Sequence, residues 1–554
     1  MIAVPDAATL SRLAVALAVL AAAVAVVVLD RPRGRWGAQL RSRFVLGVPW
    51  GTLVSVGGVL AVYLFVQGGW HHWNAPVTIP FRAWSYFSPL GMVTAAFAHS
   101  GSGHLVGNLV GTLALAPLAE YAWGHFPRER GTQTFTSPLT NPYVRGFVAF
   151  PAAVLAVGLF TAVVAIGPVI GFSGVVFAFA GFALVRYPIA TVIAIAVSDA
   201  LRTLYGALRQ PIVSASAGPS YSSPWWADIA IQGHAIGLLA GVLLGVWLAR
   251  VRGDDRPSAV RVAVGVTLFG IAQSLWAVYW YRGSETYVLF RAGGLALVVA
   301  LAVLVASTVA ASDRPLMPVD DAVASLRSVP RWRVGATVLL LCTAAIGGPA
   351  VPVNLMTAAE GDLPGDGRPI SVQGYEVTYA ENVENGMVSV IDVEAFGETT
   401  SVNTSGVIVR NRDRGIWMTA VSKGRLAFTG STTVRVGGVG WRESVRVQRQ
   451  GWSAVGGGTA YRVRLSYGDQ RVTAYTSPPA RADPVVAGRN ISLEATSDAF
   501  RVNVSTTNRS ATVSVPERNQ TVSVGGLEIT NVEGSLYAID GGTRVRVATT
   551  ERYD

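Results

Sequence analysis

Ten stretches of about 15 to 25 residues, nearly free of charge, fill most of the first 351 residues of this 554-residue chain, and they limit its fold more than any other feature. A helix needs about 20 apolar residues to cross a hydrocarbon core of about 30 Å. In lipid every backbone polar group must be satisfied within the protein, which selects helices for segments of this kind. The stretches are 8–29, 46–67, 97–118, 147–167, 172–186, 188–207, 228–250, 262–281, 287–311 and 334–351. With 51% hydrophobic and only 14% charged residues, the chain as a whole fits a polytopic α-helical membrane protein. A single cysteine, Cys342, excludes an intrachain disulfide.

Charge orients the helices. From residue 354 onward 21 Lys+Arg balance 21 Asp+Glu, so the entire +11 excess lies in the apolar part, beside the spans. This distribution argues for loops at a membrane surface and against a nucleic-acid partner. Arg31, Arg33, Arg35, Arg41 and Arg43 follow the first span; Arg128, Arg130 and Arg145 the third; Arg186 the fifth. Arg250, Arg252, Arg256 and Arg261 follow the seventh, and Arg314, Arg327, Arg331 and Arg333 the ninth. By the positive-inside rule these loops are cytoplasmic, which places both chain ends outside. The first stretch has no basic residues ahead of it, as a signal peptide would, and is expected to remain as a helix.

After residue 354 the texture changes. "YRVRLSY", "RVNVST" and "TRVRVATT" alternate with period two between Gly, Asn and Asp turns, which predicts an all-β region of one or two sandwich-like units. Five N-x-Ser/Thr acceptors, at Asn403, Asn490, Asn503, Asn508 and Asn519, all fall here and agree with an extracytoplasmic position. A linker is expected over 354–369, with "AAEGDLPGDGRP" at 358–369.

Polar residues within apolar spans are costly and therefore point to function. "AFAHSGSGHLVGNLVG" supplies His99, His104 and Asn108; "GPVIGFSGVV" supplies Ser173 between Gly171 and Gly174; "IQGHAIGLLAGVLLG" supplies His234. His104 and Asn108 share a helix face. Gly233, Gly237, Gly241 and Gly245 recur every fourth residue, a seam that admits a close partner helix. The fifth span, from Ser173 to Arg186, holds about 14 residues, or about 21 Å of helix, too short for a full crossing. Ser173 is therefore expected roughly 10 Å below the outer surface, after irregular backbone at "GPVIGF" that must be covered by protein or a watery cavity. Span directions bring His104, Asn108 and His234 to the same level. A serine hydroxyl needs a base to become a nucleophile, and His234 is placed to supply one. His104, Asn108 and the Ser173 amide at a helix N-terminus are placed as an oxyanion hole.

At these residues the chain resembles the rhomboid family of intramembrane serine proteases. "HSGSGHLVGN", "GFSGVVFAFAGF" and "GHAIGLLAG" follow one another in the family's order within residues 44–250, a six-span core. The resemblance implies a Ser173–His234 dyad, oxyanion binding by His104 and Asn108, and supporting roles for His99, Gly171, Gly174 and Gly237. It implies cleavage of transmembrane or membrane-anchored proteins near the outer leaflet, with no cofactor and no metal. The family's Trp-Arg pair in the first external loop is here replaced by "FRAWSYF", with Arg82 and Trp84 in another order. One span and a basic loop (1–43) precede the core, three spans (251–353) follow it, and the β-rich region (370–554) is appended to collect substrates or to bind cell-surface partners.

Other readings use the same residues. Ser173 alone fits a helix-packing serine, and His104 with Asn108 fits an interhelical hydrogen bond. A zinc site at His99, His104 and His234 would ordinarily add a carboxylate, and none lies in these motifs. A catalytically inactive rhomboid-like binder or chaperone of membrane proteins is the alternative in another functional class, and a transporter a third, though no inverted repeat is visible. His71 and His72, between Trp70 and Trp73, fit an interfacial aromatic anchor.

Overall fold

The computed structural model describes residues 6–127, 132–215, 219–227, 229–283, 285–314, 329–356, 363–365, 367–387, 394–395, 398–399 and 401–553. Arg128, Arg130, Arg327 and residues 358–362 of the expected linker lie outside them. Seven described helices are long and apolar enough to cross a membrane and three apolar ones are shorter, matching the ten expected spans in order.

Helix α1 (Ala7–Asp30) buries none of its residues. It leans on the bundle through Arg12, whose guanidinium donates to the carbonyls of Leu208 (2.9 Å) and Arg209 (3.4 Å). A short helix α2 (Arg35–Arg43) leads into α3 (Trp50–Ala61), which continues as a π-helix to Val66. The loop that follows carries the small helix α4 (Pro89–Thr94). Then come α5 (Ser102–Trp123), α6 (Pro142–Val163), α7 (Ser173–Leu184), α8 (Pro188–Arg209) and α9 (Ile231–Arg252). The appended helices are α10 (Ala259–Ala272), α11 (Arg291–Ala310) and α12 (Arg331–Gly347), the last followed by a turn of helix at Ala350–Met356.

Two sequence expectations are corrected. The third and fourth spans start about five residues from the expected positions. "HSGSG" resists helix until Ser102, and Asn141 starts the other helix early, its side chain accepting from the Tyr143 amide at 2.9 Å. The expected eighth span, 262–281, ends instead at Ala272. Ser274 takes a left-handed φ of 58°, and the aromatic run beyond it forms a hairpin, Tyr279–Tyr281 against Tyr287–Leu289. Trp and Tyr are apolar enough to read as span yet favour strands.

Helix α7 is the centre of the bundle, buried along almost its whole length. Its tightest neighbour is α9. A β-carbon on Gly237 would lie 2.0 Å from the Gly174 carbonyl oxygen, one on Gly241 2.0 Å from that of Ala178, and one on Gly181 2.1 Å from that of Leu238. Only hydrogen fits at these positions, so backbone packs on backbone, which substitutes in lipid for the missing hydrophobic drive.

The β-rich region is two sandwich-like lobes joined by one long strand, Trp441–Ala454. Its residues Trp441–Gln448 pair antiparallel with Ser431–Gly438 and its residues Arg446–Ser453 with Thr459–Ser466, while its tail, Trp452–Ala454, also pairs with Ala548–Thr550. The first lobe stacks these strands on a sheet ordered Ile370–Val372, Tyr375–Glu384, Asn403–Asn411, Ile416–Ser422. The second encloses Ile491, Leu493, Val502, Val504, Ile529, Leu536 and Val547.

This region is not a free appendage. Ile79 and Trp84, from the loop between α3 and α5, are buried within the first lobe's core beside Val377, Val436 and Val447. Arg442 donates to the Ala75 carbonyl at 2.6 Å, and the Tyr221 ring, between α8 and α9, meets Phe428.

Candidate active site

Ser173 is the first residue of α7. The chain reaches it through nine non-helical residues, 164–172, as expected for "GPVIGF". With 12 residues, α7 is about 18 Å long, shorter than a hydrocarbon core of about 30 Å, and Ser173 at its end is half-buried.

The glycine seam sets the distance between the two helices, and with it the polar contact at its end. Ser173 Oγ lies 2.9 Å from His234 Nε2. The imidazole stacks on Phe177, one turn along α7, with ring centroids 4.2 Å apart and planes 11° from parallel. Among the described residues no hydrogen-bond partner meets His234 Nδ1, and stacking on Phe177 orients the ring. A serine hydroxyl in hydrogen-bond contact with an imidazole nitrogen is the arrangement that a nucleophile and its base require.

His104 and Asn108 face the pair from α5. A β-carbon at Gly171 would fall 2.7 Å from His104 Nε2 and 3.5 Å from Asn108 Nδ2, so both side chains converge on the backbone two residues before the serine. Gly171 holds a φ of 128°, a conformation that a residue with a side chain rarely adopts, and the space where that side chain would sit belongs to His104. Ser100 Oγ lies 3.0 Å from His104 Nδ1; when Ser100 donates, the ring proton rests on Nε2, the nitrogen directed at the site. Asn108 Nδ2 is buried with no partner. A buried amide donor left unpaired in this way is costly unless a ligand or water meets it. The Ser173 and Gly174 amides stand at the N-terminus of α7, while those of Val175 and Val176 donate to the Phe172 carbonyl at 3.0 and 3.1 Å.

His99 is fully buried and does not reach the serine. Its ring packs edge-on against His104 at 5.1 Å, and Gln67 fixes its backbone from both sides, accepting from the His99 amide and donating to its carbonyl, each at 2.8 Å. Arg82 donates to the Pro168 carbonyl at 3.2 Å, and Trp84 turns into the β lobe. Among the described residues no three His, Cys, Asp or Glu side chains gather into a group able to hold a metal.

Beside the pair is a cavity of about 30 Å³ lined by Ala95, Ala162, Ala165, Gly171, Ser173 and His234, enough for a water molecule.

Two polar residues beside this site, Gln232 and Asn354, are not among the candidates the sequence offers. Gln232 sits two residues before His234, and its position in an apolar span was a usable signal. Asn354 lies in the expected linker. Glu120 with His125 forms a fully buried pair at the opposite end of α5, with 2.6 Å between Nε2 and Oε1. There Glu120 also accepts from the Gly51 amide (2.8 Å) and from the Thr52 amide and hydroxyl (both 2.7 Å), and so anchors α3 to α5.

Residues 83–251, which contain Ser173, His234, His104 and Asn108, match the family model described as Rhomboid domain. No curated protein and no solved structure gives a match.

Proposed function

Because the chain is a rhomboid family protein, a multi-pass membrane protein with that domain at residues 83–251, we propose that it is an intramembrane serine endopeptidase. The 2.9 Å contact between Ser173 Oγ and His234 Nε2 carries this reading. In the reaction Ser173 Oγ attacks the scissile carbonyl while His234 Nε2 takes its proton. The oxyanion that forms is held by His104, Asn108 and the Ser173 amide. Collapse breaks the C–N bond, the protonated His234 gives its proton to the leaving amine, and water from the adjoining cavity hydrolyses the acyl-enzyme.

The substrates are transmembrane or membrane-anchored proteins, cut near the leaflet on the side of the β lobes. The arginine-rich loops support an extracytoplasmic position for those lobes and for both chain ends. The six-span core at 44–250 carries the chemistry, with Gly174 and Gly237 keeping its two halves in contact.

The test is labelling of the purified full chain with a fluorophosphonate, together with cleavage of a transmembrane substrate in liposomes. Wild type should label and cleave, while Ser173→Ala and His234→Ala, folded to the same melting temperature, should lose at least about 10³-fold in rate. A folded wild type that does neither refutes the protease and leaves the membrane-protein binder.

A further inference from the structure

Helix α6 stops at Val163, and neither its last carbonyls nor those of the irregular segment 164–172 have continuing helix to accept from. Such groups must find partners within the protein. Most come from the matched domain. Tyr86 Oη donates to the Val163 carbonyl (2.8 Å), Arg82 to Pro168, the Ala83 amide to Val169 (3.0 Å), and Gln232 donates to Val164 while accepting from the Ile166 amide (2.7 Å).

Apart from Arg82, which immediately precedes the domain, one partner comes from outside it. Asn354, on the helical turn after α12, is fully buried. Its Nδ2 donates to the Ala165 carbonyl at 3.0 Å and to that of Val163 at 3.4 Å, and its own carbonyl accepts from the Tyr86 amide at 3.2 Å. Gln232 extends the link, since its Nε2 also donates to the Ile346 carbonyl on α12 at 2.8 Å. The appended helix is thereby stitched to the segment that delivers Ser173, and Ala165, one of the stitched residues, lines the cavity beside the hydroxyl.

We infer that Asn354 is a positioning residue for the proposed reaction: by holding the carbonyls of 163 and 165 it fixes the segment that aims Ser173 and Gly171 at His234 and the oxyanion donors. The inference rests on the protease reading above. It makes α12 and the turn after it part of the catalytic apparatus rather than an accessory.

The experiment compares full-length wild type with Asn354→Leu, which removes the donated bonds while keeping the branching and the number of side-chain heavy atoms, and with the smaller Asn354→Ser, which keeps a hydroxyl donor and serves if the leucine variant does not fold. The rate of fluorophosphonate labelling is measured beside kcat and KM for a transmembrane substrate. Misplacing a reacting group by about 1 Å costs on the order of 100-fold, so labelling and kcat should fall together by about 10- to 100-fold in Asn354→Leu. KM should stay within about twofold, and Asn354→Ser should recover part of the rate. A lowered melting temperature with unchanged kinetics, or a raised KM with kcat retained, overturns the positioning role. An unreactive, folded wild type instead overturns the protease reading beneath it.

Discussion

Replacing Gly237 with alanine tests the contact on which the candidate site depends. The new β-carbon would lie 2.0 Å from the Gly174 carbonyl oxygen, 2.8 Å from the carbonyl carbon and 3.2 Å from the α-carbon. These are backbone atoms at the start of α7 and cannot rotate aside. Ordinary contact begins near 3.4 Å, so α7 and α9 must part by roughly 1.4 Å at this level. His234 lies three residues earlier on the same helix, and a displacement of that size stretches its 2.9 Å bond to Ser173 beyond hydrogen-bond range. Overpacking of this kind costs about 1–3 kcal/mol of stability, and the lost alignment about 100-fold in rate. The comparison is Gly233→Ala on the same helix, where nothing lies within 4 Å of the added carbon and stability should be unchanged or improved. Fluorophosphonate labelling rates and thermal unfolding in one detergent would be measured for both. A Gly237→Ala protein that labels within about threefold of wild type and melts at the same temperature refutes the argument that backbone contact sets the Ser173–His234 distance.

Other outcomes follow from the same coordinates. Glu120→Leu orphans the buried amides of Gly51 and Thr52, at about 1–3 kcal/mol each, so it should lower the melting temperature and loosen α3 from α5; an unchanged melt counts against that pair as an anchor. In the β region, burial pushes the Glu381 carboxyl up, but hydrogen bonds from Lys423, Tyr461 and Tyr379 outweigh it and hold the group below its ordinary 4.5. Its contribution is therefore full above about pH 4.5 and is lost as pH falls through the lower folded value. Glu381→Gln should flatten the acid limb of β-region unfolding, followed by near-ultraviolet circular dichroism, and an unaltered limb would contradict this.

The spans and the Ser173 motif were legible because lipid allows few solutions: long uncharged runs must be helices, and a hydroxyl or imidazole inside them stands out. The same logic placed irregular backbone before Ser173, since 14 residues do not cross a bilayer. The hairpin at 279–289 was hidden because aromatic residues satisfy a hydropathy reading and a strand equally well. Glu120 lies at the far end of its helix from Ser173, as its position in the sequence predicts, but its pairing with His125 was not legible, since the two complete each other across a helix end without periodicity to mark them. Asn354 was read as linker, for nothing local reveals that its amide meets carbonyls almost 190 positions earlier. Long-range pairing of that sort is visible only in three dimensions.

The sharing of Ile79 and Trp84 with the first β lobe has a practical and an evolutionary side. Severing the chain at the linker would not yield a self-sufficient β domain, because residues 370–554 alone would be left with an oily notch where those two side chains belong. The lobe would tend to clump, and its true minimal unit includes a loop from the bundle. Mutations in that loop and in strand Ser431–Gly438 must compensate for one another, so the two halves of the molecule have to be inherited as a matched set.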